Sequence, residues 1–195
     1  MAEAPILGID RPLSRREHAV QFAEELRTRF EPLKIDGVAQ EYQILLIRKA
    51  GSPLGAAGFA NVEYHLRPEF IESLARPGEF LPVWESQNAE RLASIVINTN
   101  SPIPEPEIFW HEFYHLNYSP ESIQSSQRFE HRFLIELSDN IEERRADEFA
   151  AAVLSPTLEG CETIVEISER FSVSPRLAKA AVQLYRPIEE SHPQQ

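Results

Sequence analysis

The sequence predicts an α+β fold, a small mixed sheet packed on helices with a helical pair at the C-terminus. Three observations carry that expectation. Short runs rich in β-branched and aromatic residues stand at 41–48, 58–66 and 94–98. Segments with apolar residues at helical spacing lie before and after them. One of these, from residue 106 onward, is apolar nearly all round, as an interior helix is. The 195 residues suit one domain of ordinary size with a small appendage.

The elements follow in chain order. Residues 1–12 hold two prolines and little periodicity and read as a flexible arm. The main domain is expected over 13–156. Its first helix should begin near Ser14, because Ser14 and Glu17 have the spacing of a capping box, with Val20, Ala23, Leu26 and Phe30 as its apolar stripe. Residues 41–48 and 58–66 read as strands separated by the turn signals Gly51 and Pro53. Pro68 could open a short helix to Ala75, and Pro77, Gly78 and Pro82 then break the chain. Residues 94–98 read as a buried strand. Pro102 and Pro104 forbid regular structure until Pro106 can open the apolar helix, which Pro120 ends. A further helix is expected over 121–137, a break at 138–140, and a third helix capped by Asp139 and Glu142 that stops before Pro156. Residues 157–187 should form two short helices, the second opened by Ser174 as N-cap and Pro175 in the first turn. Residues 188–195 read as a disordered tail.

Composition narrows the function classes. Hydrophobic residues at 42% and charged residues at 26% are those of a globular chain with a packed core. No apolar run approaches the roughly 20 residues that span a bilayer, and the N-terminus lacks the basic flank and apolar stretch of a secretory signal. The single cysteine, Cys161, forms no internal disulfide and fits a reducing compartment. A cytoplasmic protein is expected. The net charge of −12 opposes direct contact with nucleic acid and favours solubility.

The chemistry concentrates in residues 111–115, His-Glu-Phe-Tyr-His. Residues four apart on a helix share a face, so His111 and His115 can reach one metal ion. Glu112, beside the first histidine, can hold a water and take its proton. Histidines on an otherwise apolar helix are costly to bury without partners, and a shared metal is such a partner. Two imidazoles with a carboxylate suit zinc, although manganese and iron accept the same donors. Tyr118 and Glu121 stand where a metzincin would need glycine and histidine. The third ligand is expected to be Glu143, with Glu142 and His131 as rivals. Asp147, four residues beyond Glu143, can accept the second ring N–H of a ligating histidine from the same helix. Glu142 instead aligns with the packing stripe of Ala146, Phe149 and Val153.

These residues resemble the ImmA/IrrE family of metallopeptidases. The similarity runs from the strand ending in asparagine at 95–98, through residues 109–116, to Glu143, Ala146, Asp147, Phe149 and the alanine-rich stretch closing at Leu154 and Pro156. It continues into Phe171, Val173 and Ser174, similar to the family's turn between two helices. About residues 92–186 are covered. A phenylalanine–tyrosine pair lies between the histidines and Ser155 stands at a common methionine position, neither of them a ligand. The resemblance implies a zincin-like minimal metalloprotease domain of gluzincin type, with Glu143 and Asp147 as ligand and orienting acid. It also implies a protein substrate of the transcriptional-repressor kind, cleaved to relieve repression.

The reaction expected is metal-assisted peptide hydrolysis with Glu112 as proton carrier. Tyr114, Tyr118 and His131 are candidate oxyanion donors. Ile95, Val96, Ile97 and Asn98 form the candidate strand for aligning substrate by edge pairing. A second reading is a catalytically silent zinc-containing protein that neutralises a repressor or a toxin–antitoxin component by binding alone. The helices at 164–184 also admit a DNA-binding reading through Arg176, Lys179 and Arg186, but three cations are few on so acidic a chain.

Overall fold

The computed structural model describes residues 7, 9, 13–51, 57–66, 89–117 and 136–186. Within them the chain is a mixed α+β protein with six helices and one three-stranded sheet. The expected helices at 68–75 and over most of 121–137, and the tail at 188–195, lie outside the described residues.

The chain opens on α1 (Arg16–Arg29), which buries Ala19, Phe22, Ala23 and Leu26. Its N-cap is Arg15 with no side-chain hydrogen bond, so the capping box expected at Ser14 does not form. Burial of the apolar stripe, worth about 1.5–3 kcal/mol for each large side chain, holds the helix without it. A short α2 (Ile35–Glu41), not foreseen from the sequence, buries Ile35 and Val38. It takes the first residue assigned to the following strand, and the chain then turns at Gln43, whose φ is 54°, into β1 (Ile44–Lys49). Next come β2 (Gly58–Leu66) and β3 (Ala89–Asn98).

The sheet order is β1-β3-β2. β3 runs parallel to β1, pairing Ile44 with Ala93, and antiparallel to β2, pairing Gly58 with Ile97. A central strand must be apolar on both faces, and residues 93–97 are all buried. Asn98 closes the strand: its side-chain oxygen accepts the N–H groups of Gly51 and Asn100, each at 3.0 Å.

α3 (Glu105–Asn117) crosses the sheet with Pro106 in its first turn, as the proline spacing predicts. It buries Ile108, Phe109, Trp110, Phe113, Tyr114 and Leu116. α4 (Glu136–Leu154) packs beside it and sets Phe149 against Phe113 and Phe22, with ring centroids 6.1 and 6.3 Å apart. The expected break at 138–140 is absent, since these residues are helical. Serine, aspartate and asparagine cost only tenths of a kcal/mol each in a helix, less than the packing of the turns that follow returns.

α5 (Ile164–Phe171) is capped by Thr163 and Glu166 in a capping box and ends at Ser172 in the left-handed region. α6 (Pro175–Tyr185) starts where the sequence places it, with Ser174 as N-cap. Its buried Leu177, Ala178, Ala181 and Leu184 join the same core as α1, α3 and α4, and so do Leu7 and Ile9 of the expected arm. Among the described residues no helix is long and apolar enough to cross a membrane.

Candidate metal centre

α3 has two faces. Phe109, Trp110, Phe113 and Leu116 point into the core, which leaves Glu107, Ile108, His111 and Glu112 along a cleft, with His115 one turn beyond His111. The i, i+4 spacing brings the two imidazoles together, with His111 Nε2 and His115 Nε2 3.3 Å apart. α4 delivers Glu143 from the opposite side. Its Oε2 lies 3.1 Å from His111 Nε2 and its Oε1 3.3 Å from His115 Nε2. These three side chains could hold a metal ion. A tetrahedral ion with donor bonds of about 2.0–2.1 Å has donors about 3.3 Å apart, the spacing of the two imidazole nitrogens, and each of these has one Glu143 oxygen at a like distance.

The orienting acid is in place. His111 Nδ1 lies 2.9 Å from Asp147 Oδ1, which leaves Nε2 to face Glu143 and His115. Asp147 is itself gripped by the Arg176 guanidinium, Nε to Oδ2 at 2.8 Å and Nη2 to Oδ1 at 2.7 Å.

Charge is concentrated and mutually supporting. Burial opposes a proton on His111, but the hydrogen bonds to Asp147 and Glu143 outweigh it and carry its pKa up to about 10. For Glu143 burial is likewise opposed and overcome by the two histidines, which hold the carboxyl well below the usual carboxylate range. Asp147 is held low by His111 and Arg176 against burial. Glu112 differs: burial pushes its carboxyl up, against the pull of the two histidines. Its carboxylate also accepts the backbone N–H of Ala60 and so sits against β2.

The cleft in front of these groups encloses about 180 Å³. His111, Glu112, Glu143 and Asp147 line it with Ala57, Gly58, Ile103, Glu107, Ile108 and Arg176.

Other expected residues fall elsewhere. Glu142 does not join the imidazole pair: its carboxylate accepts the Tyr114 hydroxyl at 2.8 Å and Arg145 at 2.5 Å. That places Tyr114, 1% exposed, beneath α4 and outside the lining of the cleft, contrary to its expected role as oxyanion donor. Tyr118 and His131 lie outside the described residues. Ile95, Val96, Ile97 and Asn98 are in the central strand, paired on both sides, and offer no edge to a peptide. The physical reason is sheet order: β2, earlier in the chain, inserts antiparallel on the side of β3 facing the cleft. Of the three cations that suggested DNA contact, two are engaged internally, Arg176 with Asp147 and Arg186 with the Cys161 carbonyl at 2.6 Å.

Sequence reasoning missed Glu107 and the Asp147 partner role of Arg176. Glu107 is 5% exposed and accepts the Ser174 N–H at 2.9 Å and the Ser174 hydroxyl. The signal for both was the N-cap at Ser174, which fixes where α6 begins, but its neighbours across the fold are not written in local spacing.

No protein family, curated protein or solved structure matched the chain in the comparisons made.

Proposed function

We propose that the protein is a zinc-dependent endopeptidase with a zincin-like catalytic core. The observation that carries this reading is the convergence of His111 Nε2, His115 Nε2 and the Glu143 carboxylate, with Glu112 lining the same cleft as His111 and Glu143. Structural zinc sites are closed by four protein ligands, whereas three ligands facing a cleft suit catalysis. When bound, zinc would supply Lewis acidity toward a peptide carbonyl and toward an attacking water. His111, His115 and Glu143 would hold it, and Asp147 would keep His111 presenting Nε2.

Glu112 is the proton carrier in this reading. Its burial raises its proton affinity, the direction that favours a base over an ordinary surface carboxylate. It would accept the proton of the attacking water and return it to the leaving amine. β2 supplies the edge that β3 lacks. Ala57 and Gly58 border the cleft, and no strand pairs with the far side of β2 among the described residues. An extended peptide could add there by backbone hydrogen bonds. The resemblance in residues 92–186 favours a repressor-type DNA-binding protein as substrate, in a cytoplasmic setting.

The test is cleavage by Glu112→Gln beside the wild type, read by mass spectrometry of partner fragments with and without chelator. The variant should keep its metal and lose at least 100-fold in rate, the lower range for a general base. Wild-type cleavage by Glu112→Gln, or intact partner held by both proteins, would remove the hydrolase reading in favour of binding alone.

A further inference from the structure

Arg176 stands in the first turn of α6, where the helix dipole disfavours a cation and where the turn's own sequence carries no acidic residue. Within α6 itself nothing favours an arginine there, and its partner is Asp147 of α4. Its guanidinium spans both oxygens of Asp147, the geometry in which an arginine fixes the plane of a carboxylate. One of those oxygens also meets His111 Nδ1 at 2.9 Å. A lone aspartate can rotate about its last torsion, but a doubly held one cannot do so without breaking two charged hydrogen bonds. The start of α6 is fixed too: Ser174 caps α6 through Leu177 N–H at 3.2 Å while giving its own N–H and hydroxyl to Glu107 of α3, one helical turn before His111.

We propose that Arg176 is a positioning residue of the metal centre, acting through Asp147 on His111, and that the C-terminal helical pair is thereby a working part of that centre. The inference rests on the metal reading above. Asp147 orients the imidazole, Arg176 orients Asp147, and the Ser174–Glu107 tie sets where Arg176 stands. Lysine is the informative replacement. It keeps the positive charge, and with it the electrostatic effect on a nearby cation, but it cannot span two oxygens in one plane.

The experiment measures zinc affinity by chelator competition at a single pH for wild type, Arg176→Lys, Asp147→Asn, the double variant and Lys179→Ala, an exposed control on the same helix. Cobalt-substituted absorption spectra provide a second readout. Arg176→Lys should weaken zinc about tenfold, at the low end of the 10–100-fold range for groups behind a ligand. Its cobalt spectrum should shift while its metal-free melting temperature stays near that of wild type. Within Asp147→Asn the lysine should change nothing further, and Lys179→Ala should match wild type. Wild-type affinity in Arg176→Lys, or losses that add in the double variant, would overturn the inference while leaving the metal site standing. Absence of zinc binding by the wild type would overturn both.

Discussion

His111 is where burial and charge contend most directly. It is held between two carboxylates, and both its nitrogens are engaged. In the metal-free protein this makes the imidazolium a stabilising group, with a sign that can be worked out. A histidine whose pKa is raised from 6.5 to about 10 contributes fully below pH 6.5 and loses that contribution as pH climbs to 10. Glu143, held below its ordinary 4.5, contributes above that value and loses its part only in acid. Melting of chelator-treated protein should therefore fall from pH 6.5 to 10 more steeply in wild type than in Glu143→Gln. Equal slopes would mean that the His111–Glu143 contact is not made in solution. A metal ion competes with the His111 proton, so metal affinity should rise with pH over the same interval.

At the scale of elements, the close approach of β2 to α3 governs the cleft. A Cβ built at Gly58 would overlap Ile108 Cγ2 and stand 2.9 Å from the Val96 carbonyl oxygen. Glu112 Cγ would lie 3.5 Å away. The isoleucine could turn aside, but the Val96 backbone cannot, so alanine at 58 must push β2 from β3. Gly58→Ala should cost about 1–3 kcal/mol in denaturant unfolding, as overpacking does. It should also lower cleavage more than metal affinity, because it displaces the edge beside Glu112 and leaves Glu143 on α4 untouched. Loss of metal with cleavage retained would contradict this assignment of the edge.

The same contrast separates what was legible in the sequence from what was not. His111 and His115 share a face because helical spacing is a local property, and Glu143 and Asp147 could be read as a pair for the same reason. The chain spacing also marked β2, the start of α6 and the buried character of β3. The order β1-β3-β2 was hidden, because it depends on which strands meet after folding, and with it went the assignment of the peptide edge to residues 95–98. The helical state of residues 138–140 was hidden as well, since tertiary packing along α4 overrides weak local preference.

Among the described residues one apolar core runs from Leu7 to Leu184, so the C-terminal pair is continuous with the body that carries the site. The three side chains that could hold a metal come from helices anchored in that core, α3 through Trp110 and Phe113 and α4 through Phe149, while α6, anchored through Leu177 and Ala181, supplies the Arg176 that holds Asp147. The three candidate ligands thus come together only when α3 and α4 are docked. The most direct test is metal content of the purified protein by elemental analysis, beside Glu143→Ala and Glu142→Ala. One zinc per chain is expected in wild type and in Glu142→Ala, with little or none in Glu143→Ala. A wild type without stoichiometric metal, or a Glu143→Ala protein that keeps it, would contradict the three-ligand centre.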